Sequence, residues 1–306
     1  MIVDVDSPAF EELIDPAAAL TEVGAGYQFT EGPVWNPRDQ SLYFSDIPGD
    51  ARWRWNERSG MELVAEPTFK GNGMAYDVDG SLLVCEQVSS CLVRIRTDGR
   101  RELVAWHYQG VYMNSPNDVV VRALDGSIYF TDPDYGRWND WIGCKREFVR
   151  DFKGVYRVPP GGGPAELVVA ADEFEQPNGL CFSPDEKILY IIESRGVPTR
   201  KILAYDVAPS GDKISNKRVF VDAGPGTPDG MRADIDGNLW CGWGMGDPEL
   251  DGVVVFAPDG VMIGRIALPE RCANLCFGGL KRNRLFMAAS QSIYALYVNT
   301  QGALGG

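Results

Sequence analysis

Short apolar runs alternate with polar turns along most of the chain. In the clearest segment, Asn117-Asp-Val-Val-Val121 is followed by the turn Leu124-Asp125-Gly126 and by Ser127-Ile-Tyr-Phe-Thr-Asp132. An Asp-Gly pair between two apolar runs is a strong signal for a β-hairpin. Similar turns separate other pairs of runs, at residues 36–39, 78–80, 98–99, 159–163, 183–186, 235–238 and 259–260.

The runs group into six segments, and the first run of each segment opens on an oxygen-bearing side chain. We call these the axial residues: Glu31, Asn72, Asn117, Asn178, Asp229 and Asn274. They lie about 41 to 61 residues apart, and most segments contain about four apolar runs. Such a repeat predicts an all-β fold, a six-bladed β-propeller that forms a single domain over residues 1–306. A helical period is visible only near residues 10–20.

The segment before the first repeat contains one more apolar run, Leu20-Thr-Glu-Val23. We expect it to form a strand that pairs with the last blade and closes the ring, because closure removes two exposed sheet edges.

The first strand of each propeller blade lines the central tunnel, so the axial residues are expected to converge. Carboxylate and amide oxygens are the ligands of hard divalent cations. The set that we favour is Glu31, Asn178 and Asp229, with Asn117 close by and water completing the shell. The alternative is that these Asn and Asp side chains only cap turns at strand starts.

Composition narrows the class of protein. The chain has 306 residues, 44% of them hydrophobic, and a formal charge of −14, which argues against a nucleic-acid partner. It shows neither a long apolar stretch nor a signal peptide, so we expect a cytoplasmic protein without a membrane segment.

Seven irregularly spaced cysteines are interpreted as reduced structural thiols. With His107 as the single histidine, a Cys/His zinc site or a histidine-based triad is improbable.

Several motifs together resemble the SMP-30/gluconolactonase family, which includes regucalcin and sugar-lactone lactonases. They are Glu31-Gly-Pro-Val-Trp, Asn114-Ser-Pro-Asn-Asp-Val-Val-Val, Phe130-Thr-Asp-Pro-Asp-Tyr-Gly, Pro177-Asn-Gly-Leu, Pro228-Asp-Gly-Met-Arg-Ala-Asp and Asn274-Leu-Cys-Phe-Gly-Gly. The resemblance implies a six-bladed propeller with one divalent cation on Glu31, Asn178 and Asp229. It also implies that Asn117 helps to bind substrate and that Asp229 is the catalytic base.

Two departures from the family pattern concern the pocket. Gln87 stands where related lactonases often have histidine, and Tyr112-Met113 stand where a basic residue often precedes the Asn-Ser-Pro-Asn motif. A pocket less polar than one for a gluconate-type lactone is therefore expected. Candidate substrate contacts are Asn117, Asn114, Glu86, Tyr135, Trp138 and Trp141. Tyr108, Tyr112 and Trp243 are further candidates, although all these aromatics could equally be blade packing.

An insertion at residues 137–152 carries Trp138 and Trp141 and has two interpretations, a lid over the site or a loop packed on the blade rim.

The expected activity is metal-dependent opening of a small-molecule lactone to a hydroxy acid, with Ca²⁺ favoured and Mg²⁺, Mn²⁺, Zn²⁺ or Fe²⁺ as alternatives. Competing hypotheses are hydrolysis of a phosphotriester or cyclic amide on the same site, a calcium-binding or regulatory propeller without chemistry, and a protein-interaction propeller. The sequence does not determine the oligomeric state.

Overall fold

The computed structural model describes residues 3–5 and 7–304 and arranges six antiparallel sheets in a ring, which confirms the predicted six-bladed β-propeller. The chain begins with β1 (Val3–Val5), helix α1 (Pro8–Leu13) and β2 (Thr21–Ala25). Blade 1 is formed by β3 (Thr30–Asn36), β4 (Ser41–Asp46), β5 (Ala51–Asn56) and β6 (Gly60–Ala65). Blade 2 is formed by β7 (Gly71–Tyr76), β8 (Leu82–Glu86), β9 (Cys91–Ile95) and β10 (Arg101–Ala105).

A small hairpin leads into the second half of the ring; it consists of β11 (His107–Tyr108) and β12 (Val111–Tyr112). Blade 3 contains β13 (Val119–Val121), β14 (Ile128–Asp132), a 3-10 helix (Tyr135–Arg137), β15 (Gly154–Val158) and β16 (Glu166–Leu167). Blade 4 contains β17 (Pro177–Phe182), β18 (Ile188–Glu193), β19 (Lys201–Val207) and β20 (Ile214–Asp222). Blade 5 contains β21 (Pro228–Ala233), β22 (Leu239–Trp243), β23 (Gly252–Phe256) and β24 (Met262–Ala267). Blade 6 contains β25 (Cys272–Gly278), β26 (Arg284–Ala289) and β27 (Ser292–Tyr297).

The N-terminal segment closes the ring as predicted. Strand β2 pairs antiparallel with β27 and supplies the outermost strand of blade 6, with Thr21 opposite Ala295. Strand β1 pairs with β24 and gives blade 5 a fifth strand, which the sequence did not predict. Helix α1 is shorter than the helical period suggested, and its apolar face buries Phe10 and Leu13.

The hydrophobic core is divided among the faces between neighbouring blades. Six clusters of buried side chains each join one blade to the next, and the largest includes Phe10 and Ile14 together with residues of blades 5 and 6. All seven cysteines are free thiols, and only Cys144 is not buried. The other six pack in strands as small apolar side chains. Within the described residues, no helix has the length and apolar composition needed to cross a bilayer.

Candidate functional site

Local irregularities in the innermost strands point the axial residues toward the tunnel. In β3, β7, β17, β21 and β25, the pairing register with the next strand shifts at or beside the axial residue. A bulge adds one unpaired residue and re-aims its side chain. Asn117 lies just before β13, where its N–H donates to the Thr131 carbonyl oxygen at 2.9 Å.

Glycines beside the axial residues let the innermost strands approach closely around the axis. A Cβ added to Gly32 would lie 2.1 Å from the Asn72 carbonyl oxygen, and one on Gly179 would lie 2.1 Å from that of Asp229. No side chain fits at such distances. The backbone that follows Glu31 therefore packs directly on the backbone of Asn72, and the backbone that follows Asn178 packs on that of Asp229.

Five of the six axial residues line one cavity of about 590 Å³: Glu31, Asn72, Asn117, Asn178 and Asp229. The sixth, Asn274, is buried beside them, and its amide Nδ2 donates to Oε2 of Glu31 at 3.2 Å. The axial residues therefore converge on one site, as the repeat pattern predicted.

Two carboxylates at this point are almost fully buried, with Glu31 5% and Asp229 4% exposed. Burial and then the nearby Asp229 carboxylate raise the pKa of Glu31 to about 8, while burial raises the pKa of Asp229. Oε2 of Glu31 accepts hydrogen bonds from Gly32 N at 2.8 Å and from Asn274. Because two buried carboxylates repel each other, a positive charge placed beside them stabilises the pair.

The donor set fits a hard cation better than a zinc-type ion. Within the described ranges, no three His, Cys, Asp or Glu side chains come together as a metal-binding group. Glu31 and Asp229 could supply carboxylate oxygens to a cation at the axis, and the amide oxygens of Asn178 or Asn117 could complete such a site. Such oxygen ligands suit Ca²⁺, Mg²⁺ or Mn²⁺.

Arg271, whose role the sequence did not predict, supplies a positive charge at the site. Its guanidinium forms an ion pair with Oδ2 of Asp229 and lies 5.4 Å from the centre of the Phe29 ring. A further carboxylate, that of Asp118, is buried nearby and pairs with Arg232 at 3.8 Å. Arg271 is separated from Asp229 by 42 residues and belongs to no repeated motif, so only the folded chain reveals the pair.

Asn114 positions the loop before β13 and does not line the cavity. Its amide Nδ2 donates to the carbonyl oxygens of Asp132 and Phe152 at 3.2 and 3.0 Å. The buried Asp132 carboxylate accepts the backbone N–H groups of Asn114 and Ser115, each at 2.9 Å. The expected substrate contact at Asn114 is therefore replaced by a structural role, which is to hold the loop that carries Asn117.

Glu86 is also directed away from the cavity. Its Oε1 and Oε2 accept hydrogen bonds from Arg101 at 2.9 and 2.5 Å, and Oε2 accepts another from Ser89. These bonds occupy the carboxylate, so the structure does not support the expected substrate contact at Glu86. Three candidate aromatics, and His107, also lie outside the cavity lining: Tyr108, Tyr112 and Trp243.

The insertion at residues 137–152 and the 3-10 helix that leads into it contribute to the cavity wall, and the role of the insertion as a lid stays a prediction. Tyr135, Trp138 and Trp141 all line the cavity. Arg137 anchors the segment by donating to the carbonyl oxygens of Asn114, Met113 and Glu147, each at 2.8 Å. The remaining lining mixes apolar with polar side chains, among them Ile47, Ile142, Gln87, Ser194, Arg195 and Arg200.

Comparisons with known proteins extend over the whole propeller. A family model described as "SMP-30/Gluconolactonase/LRE-like region" matches residues 29–291, which include all six axial residues. The chain is 30% identical to a gluconolactonase from Zymomonas mobilis, over 97% of this chain and 86% of that protein. It is 28% identical to pentonolactonase XacC from Haloferax volcanii, over 90% and 82% of the two chains. The structure of a gluconolactonase from Xanthomonas campestris matches with a TM-score of 0.88 at 30% identity, over 97% and 95% of the two chains.

Proposed function

Because the chain belongs to the SMP-30/gluconolactonase/LRE-like family, we propose that it hydrolyses a small-molecule lactone to a hydroxy acid with the help of one divalent cation. Its relatives include proteins named gluconolactonase and pentonolactonase. The observation that carries the proposal is the pair of buried carboxylates, Glu31 and Asp229, beside amide side chains in a cavity of about 590 Å³. That volume accommodates a sugar-sized ligand.

Glu31, Asn178 and Asp229 would hold the cation, with Ca²⁺ as the first expectation. The two carboxylates would neutralise its charge, and the Asn178 amide would add a neutral oxygen. A cation held there would polarise the lactone carbonyl as a Lewis acid and lower the pKa of a bound water.

Asp229 is proposed as the general base that accepts a proton from the attacking water. Burial raises the pKa of this carboxyl, which brings its basicity closer to that needed at neutral pH. The Asn117 amide is proposed to donate a hydrogen bond to the oxygen that becomes negatively charged as the tetrahedral intermediate forms. Collapse of that intermediate would break the ring C–O bond, and the proton held by Asp229 would pass to the leaving ring oxygen, which becomes the hydroxyl group. The new carboxylic acid would then lose its own proton to water, which is the acid release that an assay detects.

Tyr135, Trp138 and Trp141 are proposed to bind and shield the substrate. Their rings form part of the cavity wall, and Trp141 packs on Phe29 with ring centres 5.8 Å apart. Exclusion of bulk water strengthens each polar interaction within the site.

The test is a pH-indicator assay of acid release from γ- and δ-lactones, including aldonolactones. The metal-stripped protein is measured alone and after addition of Ca²⁺, Mg²⁺, Mn²⁺, Zn²⁺ or Fe²⁺. We expect no release from the stripped protein and release when the right cation is restored. Silence across the lactone panel would refute the proposal; turnover of a phosphotriester or cyclic amide would assign another bond, and cation binding without turnover would indicate a non-catalytic propeller.

A further inference from the structure

Gln87 is a buried side chain of the cavity wall whose polar atoms have no partner. It follows β8 directly, lines the cavity and is only 1% exposed. Among the described residues, neither Oε1 nor Nε2 of Gln87 has a hydrogen-bond partner. The axial residue Asn274, also buried, contrasts with it because both of its amide atoms are engaged.

A buried amide without hydrogen-bond partners destabilises the folded protein, because it has lost its bonds to water and gained none in return. Buried polar groups in folded proteins are therefore nearly always paired, and an exception needs a physical explanation, of which a partner from outside the chain is one. Because Gln87 borders the cavity, a ligand in the cavity can supply that partner.

The surroundings of Gln87 hold it in place. Its carbonyl oxygen accepts a hydrogen bond from Nη2 of Arg146 at 2.7 Å, and its N–H donates to the Lys70 carbonyl oxygen at 3.3 Å. Its side chain packs on Gly136, where an added Cβ would lie 2.7 Å from Cβ of Gln87. The 3-10 helix (Tyr135–Arg137) thus packs against the stem of this side chain, and the position tolerates little movement.

The chemistry of the amide defines the group that would satisfy it. Oε1 accepts and Nε2 donates, so the complement is a group that does both. A hydroxyl group does both, and two neighbouring hydroxyl groups satisfy both atoms, whereas an unsubstituted alkyl ring satisfies neither. We propose that Gln87 is a specificity-determining residue that hydrogen-bonds ring hydroxyl groups, so that the site prefers a hydroxylated lactone to the unsubstituted ring. This inference rests on the proposed lactonase function, and it runs against the expectation from the sequence that Gln87 in place of histidine makes the pocket less polar.

The kinetic test compares Gln87→Met with the unaltered protein on two six-membered lactones, D-glucono-δ-lactone and δ-valerolactone. A site built to hydrogen-bond a hydroxyl group discriminates strongly against a substrate that lacks it. We expect the ratio of the two kcat/KM values to fall by about 10- to 100-fold in the variant. An unchanged ratio would overturn the proposal, even if both activities fell together.

A stability test separates recognition from a structural role and needs no activity. Gln176 is the matched control: it is also buried, at 6% exposed, but its Oε1 accepts from Asp134 N at 3.2 Å and its Nε2 donates to Oδ1 of Asp134 at 2.6 Å. We expect Gln176→Met to lower the Tm, whereas Gln87→Met leaves the Tm unchanged or raises it. A comparable loss in both variants would mean that the Gln87 amide is satisfied inside the protein, and would overturn the proposal.

The two proposals fail in different ways. If the unaltered protein hydrolyses no lactone, the proposed function fails, and Gln87 is then tested by the shift in Tm that D-gluconate produces. A shift in the unaltered protein that is lost in Gln87→Met would support hydroxyl recognition. An equal shift in both, or none in either, would contradict it.

Discussion

The N-terminal segment should contribute a large part of the stability of the ring, and Phe10 tests this directly. Phe10 is fully buried in the cluster that joins α1 to blades 5 and 6, and its ring lies 6.1 Å from that of Trp240. It packs on β24 so closely that a Cβ on Gly264 would lie 2.1 Å from the ring. Phe10→Ala would therefore open a cavity that blade 5 cannot easily fill.

Truncation of a buried Phe to Ala costs about 3–5 kcal/mol. Because whole domains are stable by only about 5–15 kcal/mol, this is a substantial fraction of the free energy of unfolding. At about 2 °C per kcal/mol for a large domain, the Tm should fall by about 6–10 °C. Removal of residues 1–25 should cost more, because it also exposes the paired edge of β27.

The assay is thermal unfolding followed by circular dichroism. Phe148→Ala is the matched control, since Phe148 is 55% exposed and its loss should change the Tm little. A truncated protein with unchanged Tm, or equal effects of Phe10→Ala and Phe148→Ala, would refute the role assigned to the closure.

Two further predictions concern charge at the axis. Arg271→Met should strengthen cation binding several-fold in a calorimetric titration, because the guanidinium no longer competes for Asp229; weaker binding would contradict this. The pKa of Glu31 is raised from 4.5 to about 8 by burial and by Asp229, so the metal-free folded state keeps a proton that the unfolded chain loses. The free energy of unfolding of the metal-free protein should therefore fall as pH rises from about 5 to 8, and a Tm that rises over this range would contradict the assignment.

The sequence predicted the features that depend on local repetition. Asp-Gly turns such as Asp125-Gly126 mark hairpins that the structure contains, and the recurring axial residues locate the tunnel. The strand at residues 20–23 was predicted because an apolar run preceded the first repeat. A three-residue strand such as β1 carries no comparable signal, and its pairing with β24 was missed.

The parts of the site that were missed depend on long-range contacts. Nothing near Arg271 in the sequence indicates that its guanidinium reaches Asp229. Asn114 lies in a motif of the resemblance and Glu86 directly precedes Gln87, yet their side chains bond to Phe152 and Arg101. Sequence proximity to a motif placed them at the site, whereas hydrogen bonding within the fold directs them elsewhere.

Asp229 is proposed to act as general base and cation ligand in a hydrolysis at the axis. The most direct test of this role is the kcat of Asp229→Asn for the best lactone, measured with the cation present. Loss of a general base typically costs about 10²- to 10⁴-fold, and loss of a cation ligand adds to it. We expect at least this reduction, with near-unaltered thermal unfolding and with full activity in the control Asp259→Asn, which changes an exposed turn. Retention of activity by a folded Asp229→Asn protein would contradict the account.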